Sequence, residues 1–354
     1  MSNENNNFSR ITKRKKKKKK NRKKLLLYLL IPLTILFITV LSYGFHIYTT
    51  AQNAANDSYE KVGRENETSK LRNESVDPVE DNVSVLIIGV DDSENRGYNE
   101  KSRSDTLILA TFNKSSKSVK LLSIPRDSYV NVPDHGYTKI NHAHYFGGPK
   151  KSIETVEDFL NVPVDYYVRL NFEAFIEVVD SLGGIQYDVP FEIVEMDSQD
   201  NKNAIHLTPG YQKLNGEEAL ALARTRKYDS DIERGKRQQE IIKTIVKQAT
   251  SASSILKLDD LITAVGNNMK TSLSFNEMKS FVSYGMNTNL SLSSVSLDGT
   301  GGKMNDGLWY YQVDEQSRND IEHELREHLD LSTSNVNNSE FSADANEEND
   351  STTK

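Results

Sequence analysis

The chain of 354 residues contains no cysteine. That absence excludes a disulfide framework, a thiolate metal site and a cysteine nucleophile together. A second absence is local: residues 25–48, LLLYLLIPLTILFITVLSYGFHIY, contain no Asp, Glu, Lys or Arg. A third is at the end, where residues 332–354 are Ser, Asn, Asp and Glu with few apolar residues. Such a segment has too little to bury to offset the entropy of ordering, so it is expected to be disordered. No internal repeat is visible.

Formal net charge is −7, and it is unevenly spread. Residues 1–24 hold twelve Lys or Arg against one Glu, about +11, which leaves about −18 for the rest. A helix rises about 1.5 Å per residue, so the uncharged run is long enough to span a ~30 Å hydrocarbon core. Pro32 near its start is tolerated in such a helix, and Tyr43, His46 and Tyr48 suit the far interface. The basic flank at 13–24 acts as a positive-inside signal, which predicts a single-pass type II protein of the cell membrane. Its N-terminus is then cytoplasmic and its C-terminal domain extracellular. A cleaved signal peptide is the rival reading, but the run exceeds a signal h-region and no small-x-small site follows it at once. The lysine run also resembles a nucleic-acid patch; beside an apolar span it is more simply a topology determinant.

Residues 49–82 are polar and aperiodic, and are expected to be a stalk. From residue 83 the texture changes. VSVLIIGV (83–90), TLILATF (106–112) and SVKLLSI (118–124) read as strands, the last two joined by a short polar connection at 113–117. A helix is predicted over 152–160, strands over 164–170 and 185–190, and between them a helix over 172–182 stopped by Gly183-Gly184. Further helices are expected at 217–223, 237–252, 258–269 and 276–284. Interleaved strands and helices predict one α/β domain over 83–331 with a mixed central sheet flanked by helices.

Three clusters could carry chemistry. Asp91-Asp92 ends the first strand, and Arg103-Ser104-Asp105-Thr106 precedes the second. Strand ends are where α/β sheets place ligands, and carboxylates at neighbouring strand ends can share Mg²⁺, though Asp there also serves as turn former or cap. The third cluster is arginine-rich: Arg126-Asp127 after the third strand, then Arg224, Arg226, Arg234 and Arg237. Buried arginines must meet anions. Asp229, Asp231 and Glu233 could supply them in a salt-bridged loop; a phosphoryl ligand could supply them equally, since guanidinium forks match its oxygens. His142 and His144 as a metal pair, and Ser104 and Ser128 as nucleophiles, find no supporting constellation.

Several stretches occur together and in order: VLIIGVDD (85–92), RSDTLIL (103–109), LLSIPRDSYV (121–130), YTKINHAHYFGG (137–148), DYYVRLNFEAF (165–175), VDSLGGI (179–185), LTPGYQKLNGEEALALARTR (207–226) and DIERGKRQQE (231–240). Across 83–250 the chain resembles the LytR-CpsA-Psr family of membrane-bound phosphotransferases in bacterial cell-wall assembly. The resemblance implies that the chain moves an anionic glycopolymer, wall teichoic acid in the first instance, from a polyprenyl-pyrophosphate carrier to peptidoglycan. The expected product is a phosphodiester on the muramic acid C6 hydroxyl. It further implies Mg²⁺, or Mn²⁺ in its place, on Asp91 and Asp105. Arg126, Arg224, Arg226, Arg234 and Arg237 would surround the pyrophosphate with Gln238 assisting, and Arg103 is a less direct candidate. Asp127 would orient Arg126 or act as base. The carrier's tail would lie in a tunnel between sheet and helices, with 106–112 and 172–182 as candidate walls. The polar insert at 93–102 suggests a mobile loop over the metal. Two other functions stay open at this point, a lipid pyrophosphatase and a membrane-bound regulator of envelope gene expression. A nucleic-acid partner is not expected, because the domain is acidic and lies across the membrane.

Overall fold

The run VSVLIIGV is β-branched and apolar at nearly every position, the composition of a strand buried on both faces. In the computed structural model it forms β1 (Val83–Val90), with Val83, Leu86, Ile88 and Val90 fully buried. The structure describes residues 4–78, 80–91, 102–226, 230–249, 266, 268–285 and 290–331. Residues 93–101 of the insert expected to be mobile, Asp92, Asp229, most of the helix expected over 258–269, and the C-terminal tail lie outside the described residues.

Ahead of β1 a single helix, α1 (Glu4–Ser58), carries the apolar run. Within its Leu30–Ser58 portion an 18-residue stretch reaches a mean hydropathy of 1.9, so the helix is long and apolar enough to cross a membrane. Leu33, Phe37 and Val40 are exposed on it, while Thr34 and Thr39 return their hydroxyls to the carbonyls of Ile31 and Ile35. Residues 59–82, read from sequence as part of a stalk, lie against the domain. Tyr59 bridges to Thr271, Val62 enters the main core, and Arg64 and Arg72 pair with Glu157 and Asp165.

β2 (Ser104–Asn113) and β3 (Ser118–Ser123) form the hairpin expected from the short polar connection. Asn113 Oδ1 accepts from Ser116 N at 2.8 Å, and Lys117 takes a left-handed φ of 52° in the turn. A second hairpin, β4 (Tyr129–Val132) and β5 (Gly136–Lys139), leads into α2 (His142–Leu160). That helix is broken at Gly147-Gly148 ahead of Pro149. Next come β6 (Tyr166–Leu170), α3 (Phe172–Ser181), β7 (Ile185–Val189), β8 (Ile193–Glu195), β9 (Ile205–Leu207) and β10 (Gly210–Leu214). α4 (Gly216–Arg224) and α5 (Asp231–Ala249) follow, then β11 (Met269–Thr271) and α6 (Phe275–Gly285). The described chain closes with β12 (Ser291–Ser296), β13 (Gly299–Lys303), β14 (Trp309–Val313) and α7 (Glu315–His328).

The main sheet has six strands in the order β11-β6-β1-β2-β3-β12, with β1–β6 and β3–β12 parallel and its other pairs antiparallel. This is the mixed sheet that the interleaved pattern predicts. Strand alternation separates its faces. Leu86, Ile88, Leu107 and Leu109 pack on one side with Ile153 and Val156 of α2 and Ile321 and Leu325 of α7. Ile108 and Ala110 turn the other way, toward Ile242 of α5. A second core of α3, β7, β10, α4 and α5 sits on that second face, built on Val179, Ile185, Leu214, Leu222 and Ile241. Gly216 permits it, since a Cβ there would meet the Ile176 carbonyl oxygen at 2.4 Å.

One buried polar group ties α7 to the sheet. His328 is 8% exposed, and its ring nitrogens meet Thr111 Oγ1 at 2.8 Å and Ser118 Oγ at 2.7 Å. Burial, reinforced by Lys120 and opposed by Glu324 and Asp330, pushes its pKa down to about 4. A histidine held neutral by folding contributes stability in full above its unfolded pKa of about 6.5, and loses it as pH falls from there toward 4. Thermal melts from pH 7 to 4.5 should therefore show wild type losing on the order of 2–3 kcal/mol more than His328→Gln. Parallel pH profiles for the two proteins would contradict this.

Candidate functional site

The pairing of β1 with β2 runs in step from Val83↔Phe112 to Gly89↔Thr106, then jumps to Val90↔Ser104. Asp105 is the extra residue of a β-bulge, a device that re-aims a side chain at a sheet end. Gly89 sits opposite, where a Cβ would come within 3.0 Å of Thr106 Cβ. The re-aimed Asp105 carboxylate accepts a short hydrogen bond from Arg126 Nη1 and lies 3.7 Å from Arg226 Nη2. Asp91 follows the last residue of β1 and is partly buried.

Arg126 stands just past β3, where Pro125 ends the strand's run of amide donors. Its Nε faces Asp127 Oδ2 at 3.7 Å, and Asp127 Oδ1 takes Lys139 Nζ at 2.9 Å. Asp127 is 8% exposed, and both of its oxygens face cations.

The other arginines come from α4 and α5. Asn215 and Glu218 form a capping box at the start of α4, which fixes the helix whose last turn carries Arg224. The Arg224 guanidinium lies 4.5 Å over the Phe172 ring. Arg226 follows in the extended exit from α4, 45% exposed by side chain. Arg234, 4% exposed, and Gln238 are four apart on α5 and share a face, with Gln238 Nε2 donating to Ala223 O at 3.1 Å.

Most of these groups line one cavity of about 460 Å³, within the range of small-molecule sites. Asp105, Arg126, Arg224, Arg226, Arg234 and Gln238 form its polar end, joined by Glu195, which accepts from Thr225 Oγ1 at 2.8 Å. Among the described residues four guanidinium groups line this end against two carboxylates, an excess of positive charge. The remainder is apolar: Ile87, Leu170, Phe175, Val178, Ile242 and Ile245 among others. Of the expected walls, α3 supplies Phe172, Ala174, Phe175 and Val178, whereas the 106–112 run supplies Thr106. Leu107 and Leu109 belong to the opposite core. Such a cavity can hold a molecule with an anionic head and an apolar tail.

Four sequence candidates have different places: Asp91, just past β1, and Asp127, between Arg126 and Lys139, do not line the cavity, and neither do Arg237 and Arg103. Arg237 does not line the cavity: its Nε donates to Leu222 O and its Nη2 to Thr225 O, each at 2.7 Å, while the guanidinium lies 5.6 Å over Phe191. It satisfies carbonyls at the end of α4 and so holds Arg224 and Arg226 in place. Arg103 is exposed outside the cavity, close enough to His142 to help depress that histidine's pKa, for which burial is the larger cause. The two histidines are used locally, His142 Nδ1 against Thr138 Oγ1 at 2.8 Å and His144 Nδ1 against Ser102 O at 2.7 Å. Sequence reasoning assigned no role to Lys139 or Glu195. A lysine ten or more residues from its carboxylate partner leaves no periodic mark.

The LytR_cpsA_psr family model matches residues 45–327. The Bacillus subtilis polyisoprenyl-teichoic acid–peptidoglycan teichoic acid transferase TagT is 38% identical over 296 residues, covering 83% of this chain and 91% of that protein. A solved structure of TagT bound to LI-WTA superposes with a TM-score of 0.67 at 36% identity, covering 77% of this chain and all of that one. Another, with bound octaprenyl pyrophosphate lipid, gives 0.63 at 33% identity with the same coverage. On sequence and on fold, the chain belongs to the LytR_cpsA_psr family.

Proposed function

We propose that this protein transfers an anionic glycopolymer of the wall teichoic acid type from a polyprenyl-pyrophosphate carrier to peptidoglycan. The observation that carries the reading is the two-ended cavity, with four arginines and Asp105 at one end and apolar side chains of α3 and α5 beyond them. A polyprenyl pyrophosphate has that same division of charge. The named relatives act on, or hold, molecules of this class.

In this reading the apolar walls take the start of the carrier's tail, and Arg126, Arg224, Arg226 and Arg234 bind the pyrophosphate oxygens. A muramic acid C6 hydroxyl attacks the phosphorus nearer the sugar. The bond from that phosphorus to the bridging oxygen breaks, polyprenyl phosphate leaves, and the hydroxyl proton passes to solvent or to the leaving phosphate. The arginines stabilise charge developing on the departing oxygens in a site partly shielded from water. Asp127, with its oxygens turned to Arg126 and Lys139, acts as the orienting group for Arg126 rather than as base.

Asp91 and Asp105 would hold Mg²⁺. Their carboxylates stand at the same end of the bulged β1–β2 pair and supply the hard oxygen donors this ion takes. When bound, it would supply further neutralisation of the leaving phosphate. The apolar part of α1 anchors the chain in the membrane, where the donor also resides. The basic N-terminus would lie in the cytoplasm and the domain outside.

The test uses the full chain in lipid nanodiscs with labelled polyprenyl-pyrophosphate glycopolymer and soluble peptidoglycan strands. Label should enter peptidoglycan, fall at least tenfold with EDTA, and return with Mg²⁺. Label released to water whether or not peptidoglycan is present would indicate a pyrophosphatase instead.

A further inference from the structure

The β4–β5 hairpin has two unlike faces. Val130 and Val132 turn inward and are buried in the main core. Register places Tyr129 opposite Lys139 and Asn131 opposite Tyr137, so these four side chains share the outward face. Tyr137 is 67% exposed. Its ring lies 5.3 Å from that of Tyr129, tilted by 32°, and Tyr129 in turn meets Tyr310 of β14 edge-on at 5.0 Å. The Tyr310 hydroxyl donates to Asp306 Oδ2 at 2.7 Å, which fixes its ring.

This aromatic face is continuous with the polar end of the cavity. Lys139 Nζ sits 5.5 Å from the Tyr310 ring centroid and 2.9 Å from Asp127 Oδ1, and Asp127 faces Arg126. Packing accounts for Tyr310, which is buried, but not for Tyr137. Exposed Tyr137 beside half-buried Tyr129, with Asn131 and Lys139 on the same face, forms a mixed aromatic and polar surface of the kind that takes a ligand.

Resting on the transferase reading above, we propose that the outward face of the β4–β5 hairpin is the acceptor platform. There a β-linked glycan strand lies across Tyr129 and Tyr137, with Asn131 and Lys139 at its hydroxyl and acyl groups. The CH-bearing faces of pyranose rings are flat and weakly apolar, and they stack on the electron-rich faces of aromatic rings. Tyrosine offers that face at little entropic cost, with asparagine beside it as an adaptable hydrogen-bonding group. The tail-binding end of the cavity lies beneath α3, α4 and α5, so the acceptor must reach the pyrophosphate from the Arg126 side, where the hairpin stands. The platform orients the strand; no side chain on it takes part in bond making.

The experiment measures binding of end-labelled, uncrosslinked peptidoglycan glycan strands to the full chain in nanodiscs by fluorescence anisotropy, alongside transfer kinetics. Tyr137→Ala should weaken strand binding about tenfold and raise the acceptor KM by a similar factor, leaving kcat and donor KM within about twofold. Tyr137→Trp, which keeps a stacking face, should bind as wild type does. Since Tyr137 is exposed, both variants should melt with wild type. Unchanged strand binding by Tyr137→Ala, or no strand binding by wild type, overturns the platform. Strand binding that depends on Tyr137 without transfer from any donor would keep the platform and sink the transferase reading. Transfer with an unaltered acceptor KM in Tyr137→Ala would do the reverse.

Discussion

Arg126→Ala should lower glycopolymer transfer by about 10²–10³-fold, the usual effect of removing one preorganised donor to a developing anion. Among the described residues Arg126 is the one cavity arginine on the sheet side, reaching Asp105 through Nη1 and facing Asp127 through Nε. Arg224 and Arg234 approach from α4 and α5, and Arg226 from the segment that leaves α4. Without Arg126 the remaining guanidinium groups flank the phosphates from one direction only. Asp105 keeps Arg226, 3.7 Å away, and its side chain is 34% exposed, so water can solvate it. The fold should therefore lose little, about 1 kcal/mol or less. Arg126→Lys should recover only part of the rate, because an ammonium cannot meet two anions in a planar fork. Single-turnover transfer at saturating donor reads the effect, with melting temperature as the control. A variant that transfers within threefold of wild type while melting with it would remove Arg126 from the mechanism. In cells, the variant should reproduce loss of the whole protein; a full wild-type phenotype would favour the regulator reading.

How much of this was legible depends on whether the signal was local. β1, β2, β3, α3 and α4 stand within a few residues of where their periodicity put them, since each has a continuous apolar run or a clear amphipathic face. The β4–β5 hairpin was missed because its alternation spans only four residues a side. β13, β14 and α7 went unread because β13 is GTGGK and α7 is mostly polar, with Ile321, Leu325 and His328 as its buried residues. Within the site, Asp105, Arg126, Arg224, Arg226, Arg234 and Gln238 line one cavity, whereas Asp91 does not. Arg237 does not, although it is three residues from Arg234. A spacing of three or four puts side chains on adjacent parts of a helix, but only tertiary packing decides which part meets the cavity and which meets the end of α4. The bulge that turns Asp105 is equally invisible from sequence, since it is a mismatch between two strands.

Arg72→Ala should destabilise the domain by about 3–5 kcal/mol, because it strips the partner from a buried carboxylate. Arg72 and Asp165 side chains are 7% and 3% exposed. Arg72 Nε and Nη2 donate to the two Asp165 oxygens at 2.9 and 2.7 Å, a bidentate fork, and Nη2 also reaches Asn82 O at 3.0 Å. Asp165 further accepts from Ser84 N at 2.8 Å, so it joins β1 to the entrance of β6. Next to it, Arg64 donates to Asp165 O at 3.0 Å and pairs with Glu157 at 3.4 Å. Without Arg72, the Asp165 charge would rest mainly on Ser84. For a domain of this size the melting temperature should fall by roughly 6–20 °C. Lys70→Ala is the matched control. Its pair with Asp158 is 64% and 37% exposed, and its removal should cost about 1 kcal/mol or less. Equal melting temperatures for Arg72→Ala and Lys70→Ala would show that the buried fork contributes nothing beyond a surface pair. The functional consequence follows from position. Residues 59–82 connect the apolar helix to the sheet, and Arg72 touches no cavity residue. Arg72→Ala should thus leave donor and acceptor KM near wild type at low temperature and lose activity steeply on warming, whereas Arg126→Ala is defective at every temperature. That contrast separates a residue that holds the domain to its anchor from one proposed to hold the phosphate.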